Sequence, residues 1–315
     1  MKLGAFIIPT GIGASIGGYA GDASYWARKF ARKNKLIVNP NVVNAACFSG
    51  ITDNMLYVEG YSLDEFFKGN INLSESESNR IGVIFDKSIS EDVLRIHINT
   101  INAVRTVYGI EIIDYEITKE SVGVNFFVDE SGVSVGNVSN LLTIKDSALN
   151  LIKKGAEAIA IVCHFPEEQG NDYSRGIGVD PVGGVEAIIS HYISKELSVP
   201  CAHAPAFEDF SITTNIVDKR CAAEYITPTF LPCILLGLFQ APKISNVGIS
   251  VDDIDFIIVP YDALGSVPVM ESSRRKIKIF AVKENKTILD VNNEKFSVKC
   301  DIINTYKELL ELINE

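Results

Sequence analysis

The sequence predicts an α/β fold, a largely parallel sheet or sheets flanked by helices, with two similar α/β lobes as an open option. Three observations carry this. Apolar runs at residues 3–8, 80–85, 156–162 and 254–260 lack the polar alternation of half-exposed strands, so they read as strands buried on both faces. Stretches of helical period lie between them, the order expected of a parallel sheet. The first run stops at Pro9 and is followed by five glycines, Gly11, Gly13, Gly17, Gly18 and Gly21. Glycine is this dense where backbone must take positive φ or approach a ligand closely.

After that loop, Asp22 is placed to cap a helix to about residue 33, with Trp26 and Phe30 on one face and basic residues at its C-terminal end. Residues 35–38 form a second strand that ends in NPNVVNAACFSG, and 57–59 form a short strand before a helix that Ser62 caps. SESESN (74–79) is a polar linker. Residues 90–108 form a long amphipathic helix whose His97 reads as a surface or packed residue. Residues 110–118, 123–129 and 133–138 are strands joined by turns, and Asn140 or Thr143 starts a helix that Gly155 ends. A helix over 182–197 leads to a strand at 199–202, 219–238 reads as mostly helical despite Pro228 and Pro232, 276–283 is a core strand, and 302–314 is a closing helix. FIIPTGIGAS and FIIVPYDALGS echo each other, most simply as two buried strands ending in turns. A boundary near residue 140 separates an N-terminal lobe (1–140, with the glycine loop) from a C-terminal lobe (141–315, with Cys/His strand ends).

A chain of 315 residues with 47% hydrophobic content can bury one large core or two modest ones. Its net charge of −11 repels phosphate backbones, so nucleic acid is excluded as the expected partner. Six cysteines without paired spacing point to a reducing compartment. The N-terminal apolar run is broken by Pro9 too early for a secretory leader, and the run at 230–239 is too short to span a bilayer. These features predict a cytoplasmic protein that meets a small-molecule substrate, with no membrane contact and a homo-oligomer left open.

The stretches PTGIGASIGGYAGDA, NPNVVNA, YVEGYSLD, GVDPVGGVEAIISH, PCAHAPA, TFLPCILLGL and IFAVKENKTILDV resemble the uncharacterised DUF3326 family across most of the chain. That resemblance implies a ligand site but no reaction. A fainter likeness is to the cofactor-independent aspartate/glutamate racemases, carried by GAEAIAIVCHFP, VVNAACFS and SVPCAHAP. It implies two cysteines after core strands, Cys47 and Cys163. The chain departs from that pattern: no Thr separates Cys163 from His164, and Asn-Thr does not follow Cys47.

The glycine loop suits a backbone cradle for a carboxylate or phosphate, with Thr10, Gly11, Gly13, Gly17, Gly18 and Asp22 as ligand-binding candidates, or equally a tight structural turn. Its spacing is not GxGxxG, and Asn39 and Asn41 stand where an acid would end the second strand, so a dinucleotide site is set aside. Asn41 and Asn44 suit a small polar ligand or an Asx turn, and Asp180 a substrate hydroxyl or amine or a helix cap. Cys163-His164 and Cys201-Ala202-His203 fall at strand ends, where a thiolate and a histidine serve proton transfer or nucleophilic attack. A metal would draw on Cys201, His203, His191 and Asp180 or Glu186, but no CxxC or HExxH supports one, so neither metal nor cofactor is expected. Cys221, Cys233 and Cys300 read as core. The expected function is a cofactor-independent racemase, isomerase or lyase acting on a small carboxylate-bearing metabolite, with Cys201, His203, Cys163, His164 and Cys47 as catalytic candidates. The alternative is a non-catalytic protein that binds a nucleotide or phosphometabolite.

Overall fold

Continuous apolar runs need cover on both faces, and the computed structural model, which describes residues 1–166 and 173–314, supplies it with two parallel sheets and helices around them. The ten strands of these two sheets are β1 (Leu3–Phe6), β2 (Lys35–Val38), β3 (Met55–Tyr57), β4 (Ile81–Phe85), β5 (Ile112–Ile117), β6 (Ala158–His164), β7 (Cys201–Ala206), β8 (Phe256–Pro260), β9 (Lys278–Val282) and β10 (Asp301–Ile303). The first sheet has the order β10-β9-β8-β1-β2-β3 and the second β7-β6-β4-β5, with every pairing parallel. Order reverses beside β1 in the first sheet and between β4 and β6 in the second. Such switch points open a crevice at the strands' carboxyl ends.

Alternation along the strands sorts side chains into layers. Phe6, Leu36, Val38, Ile258 and Phe280 face a central core shared with Val83, Phe85, Ala160 and Val162 of the second sheet. The helix Leu231–Phe239 fills the space between, with Leu231, Cys233, Ile234, Leu235 and Leu238 all buried. A helix apolar on nearly every side is stable only when enclosed in this way. The opposite faces pack against Gly60–Lys68 and Val267–Arg275 in one case, and Leu141–Lys153 and Gly183–Leu197 in the other.

The two echoing segments are neighbours. Gly4, Ala5 and Phe6 pair in register with Phe256, Ile257 and Ile258. The first sheet therefore joins residues 3–57 to residues 256–303, and the second is built from residues between them. A boundary at residue 140 separates neither sheet, since β4, which precedes it, pairs with both β5 and β6, and β6 follows it.

Several local expectations give way to packing. Asp22 does not cap the helix Ser24–Phe30; its Oδ1 accepts from Gly17 N–H at 2.7 Å, inside the loop. Glu59, not Ser62, caps Gly60–Lys68 by accepting from the N–H groups of Tyr61 and Ser62. The stretch 219–238 divides into Ala222–Tyr225 and Leu231–Phe239, with Pro232 in the first turn of the second, where proline is tolerated. Ile302 lies in β10, and the closing helix begins at Tyr306. Strand β7 starts at Cys201 rather than ending near it, and runs through Pro205, which an edge strand can hold.

Beyond Phe6 the chain is held by asparagine side chains. Asn39 Oδ1 accepts from Ile8 N–H at 3.0 Å while its Nδ2 donates to Ile8 O at 2.8 Å. This amide pair continues the β1–β2 ladder after the backbone of β2 has turned away. The Asn39→Leu variant leaves both buried Ile8 groups without these partners. We expect it to lose about 2–4 kcal/mol of stability, read as a lower urea midpoint; an unchanged midpoint would show that the clamp is dispensable.

Candidate functional site

A cavity of about 760 Å³ opens between the carboxyl ends of the first sheet and the edge of the second. The segments after β1 and β2 contribute Thr10, Gly18, Asn39, Asn41 and Asn44. The helices Gly60–Lys68 and Gly183–Leu197 contribute Asp64, Glu186, Ser190 and His191, with Glu59 at the cap of the first, and β7 contributes His203. Asp180 and Glu224 complete an acidic lining in which no Lys or Arg stands among the described residues.

The glycine loop is packed rather than open. The N–H groups of Ser15, Ile16, Gly17 and Ala20 are donated to Lys286 O, Asn285 Oδ1, Asp22 Oδ1 and Glu224 Oε1. Asn41 Nδ2 donates to Gly17 O at 2.6 Å and reaches Pro9 O at 3.2 Å, so it ties the two arms together. At Gly17 (φ +90°) an added Cβ would stand 2.4 Å from Ile8 Cδ1, and at Gly18 one would stand 2.1 Å from Ala14 O. The glycines serve close backbone approach here. Thr10 and Gly18 line the cavity, whereas Gly11, Gly13, Gly17 and Asp22 do not. Gly11 instead accepts from Ser134 N–H, and Gly13 lies against Val179.

The cysteines fall largely outside the cavity. On β7, Cys201, His203 and Pro205 share one face by alternation, but Cys201 sits at the amino end, 1% exposed in an apolar cluster with Ile161, Cys163 and Ile189. Burial pushes the thiols of Cys201 and Cys163 well up, which removes the thiolate that nucleophilic chemistry needs. Cys47 lies in the turn between the short strands Asn44–Ala45 and Phe48–Ser49, and His164 pairs with Glu208 at 3.2 Å; neither lines the cavity. Among the six cysteines only Cys233 lines it, with its thiol raised by burial to about 12. The cysteine pair implied by the racemase likeness therefore does not meet there.

His203 does reach the cavity. Its Nδ1 lies 2.9 Å from Ser190 Oγ, whose hydroxyl donates to Ala187 O at 3.4 Å. In the tautomer with the hydrogen on Nδ1, Nε2 is an acceptor, 3.6 Å from Glu186 Oε2. Burial lowers His203 to about 3 and lifts Glu186 well above the carboxylate range, with Asp180 and Glu224 adding like-charge repulsion to Glu186. The result is a neutral imidazole beside a protonated acid. A second pair stands nearby, His191 Nε2 at 3.7 Å from Glu59 Oε2. Asp180 accepts from Val182 N–H at 3.1 Å, and burial lifts it to about 6. It holds the turn that leads into Gly183–Leu197, whose N-cap is Val182, and lines the cavity. Asn44 accepts from Tyr57 O–H at 3.1 Å.

Glu59, Ser190 and Glu224 were outside the sequence expectation. The signal for Glu59 was an acid directly before Gly-Tyr-Ser, a helix start; Ser190 and Glu224 carry no signal beyond their residue type. Among the described residues, no group of three or more His, Cys, Asp and Glu side chains is arranged to hold a metal. None of the described helices is long and apolar enough to cross a membrane.

The family described as "Protein of unknown function (DUF3326)" matches residues 4–314. The chain belongs to the DUF3326 family. This DUF3326 protein is similar to an uncharacterised lipoprotein of Synechococcus sp., 37% identical over 313 residues, 96% of this chain and 87% of that protein. No solved structure matches it.

Two outcomes follow for the DUF3326 protein. Brief alkylation of the native state with iodoacetamide should modify partly exposed Cys47 first and spare Cys163, Cys201 and Cys233, read by peptide mass spectrometry; rapid labelling of Cys201 would contradict its burial. Burial also raises Asp22 from 3.8 to about 7. Native Asp22 thus keeps a proton that the unfolded chain has released, so its stabilising contribution is complete below about pH 4 and is lost as pH rises through 7. The Asp22→Asn variant should accordingly melt higher than wild type at pH 8, by about 2 °C or more, with little difference at pH 4.

Proposed function

We propose that this protein is a cofactor-independent enzyme that moves a proton on a small polar metabolite held in the cavity. The observation that supports it is the pair of neutral groups, His203 Nε2 as acceptor and Glu186 as acid, 3.6 Å apart at the cavity wall. Titratable groups pushed apart by their surroundings are the usual mark of an acid and a base assigned to one reaction. In the step this suggests, Nε2 takes a proton from a substrate atom and Glu186 gives one to another. The imidazolium and carboxylate left behind then exchange a proton across the pair, which restores the starting state. Racemisation and isomerisation balance in this way without an outside oxidant or reductant.

The thiols have no part in this reading, because the chemistry needs groups that face the substrate. A substrate carboxylate would meet no guanidinium or ammonium among the described lining residues, so recognition rests on hydrogen bonding. The same lack weighs against a nucleotide or phosphometabolite carrier. For the compartment we propose the cytoplasm, on the six free thiols. The name lipoprotein describes the Synechococcus protein, and cell fractionation with an antibody decides the matter here.

The test is deuterium uptake. The protein is incubated with a metabolite panel in D₂O, and exchange of carbon-bound hydrogen is followed by mass spectrometry. His203→Ala and Glu186→Gln should each slow exchange by about 100-fold or more, while Cys201→Ser leaves it intact. Loss of exchange in Cys201→Ser alone, with both other variants active, would sink the assignment.

A further inference from the structure

Glu186 is 9% exposed and lines the cavity, and its Oε1 has no hydrogen-bond partner among the described residues. A buried carboxyl oxygen with nothing to accept from is costly until a donor arrives. His203 cannot supply one, since its Nδ1–H is directed at Ser190 and its Nε2 is itself an acceptor. With the hydrogen of the protonated acid on Oε2, beside Nε2, Oε1 is left as an acceptor with no donor among the described residues.

The charge around it has one sign. Asp180 and Glu224 line the same cavity and act on Glu186 by like-charge repulsion, and Glu59 stands on another wall. A ligand seated here must bring donors, and positive charge favours it further. A hydroxyl brings one donor and no charge. A primary ammonium brings three donors and one positive charge, and its hydrogen bonds to carboxylates are the stronger kind. A divalent cation is disfavoured, because no metal-holding group of three such side chains exists among the described residues.

We propose that the cavity selects its metabolite through a primary ammonium group that donates to Glu186 Oε1 and leaves His203 Nε2 free to act as the base. This deepens the proton-transfer reading by naming the substrate class, and it rests on the same cavity being the substrate site. The ammonium does not take part in the chemistry; it fixes the orientation in which a neighbouring carbon meets the acid–base pair.

The probe is 1,4-diaminobutane, compared with 1,4-butanediol, succinate and MgCl₂ on the full-length protein by thermal shift and titration calorimetry. The diamine should bind about tenfold or more tightly than the diol or the diacid, a comparison that needs no variant. Glu186→Leu, which removes the acceptor, should weaken the diamine by a similar factor, and Asp180→Asn serves if the first variant does not fold. Equal binding of diol or succinate, retention of diamine affinity in the variants, or tighter binding of Mg²⁺ would each overturn the proposal. Diamine binding without deuterium exchange on any metabolite sinks the proton-transfer reading alone. Exchange confined to substrates without an amine sinks the ammonium proposal alone.

Discussion

Everything around the cavity depends on side-chain amides that stand in for missing backbone. Asn39 gives Ile8 the donor and acceptor of a neighbouring strand, and Asn285 repeats the arrangement, accepting from Ile16 N–H at 3.0 Å and donating to Ile16 O at 2.8 Å. Asn41 joins the two arms of the loop between these points. An asparagine can do this because its planar amide carries the same donor and acceptor as a peptide. With Ile8 and Ile16 fixed, the glycines pack the loop tightly, and Thr10 and Gly18 are left facing the cavity. The loop therefore sets the wall of the site through its shape.

The broad fold was legible because strands buried on both faces leave an uninterrupted apolar signature, and β1, β4, β6 and β8 all carry it. The pairing of β1 with β8 was not legible, since nothing local marks residues 250 positions apart as neighbours beyond a repeated Phe-Ile-Ile. The extent of β7 was missed for a different reason. Ala-His-Ala-Pro-Ala reads as a loop by composition, yet its alanines at 202, 204 and 206 face the central core. Moving the strand by a few residues moves Cys201 from the cavity end to the closed end. That single shift separates a thiol site from a histidine site.

Among the candidates, those that line the cavity are Thr10, Gly18, Asn41, Asn44, Asp180 and His203. Thr10, Asn41 and Asn44 follow the ends of β1 and β2 and Asp180 precedes a helix, positions that sequence can indicate, whereas His203 lies within β7. Glu186 and His191 lie five apart on one helix, a poor spacing for a shared partner. In the structure each has its own partner on another element, His203 for one and Glu59 for the other. Spacing along one helix tests only whether two residues share a partner; it cannot tell which other elements come near. The second sheet has its own switch point, but Asp86 fills that position, accepting from the N–H groups of Ser88, Val122 and His164. One crevice is thereby tied off and the other left free for a ligand.

The interleaved connectivity has a consequence for biosynthesis. All four strands of the second sheet have left the ribosome once residue 206 is clear, so that sheet can assemble while translation continues. The first sheet cannot be completed, because β1 must wait for β8 and the strands beyond it end at Ile303. During that interval the edge of β1 that pairs with β8 lies open. A strand that begins 252 residues after Gly4 thus decides whether β1 gains its second neighbour.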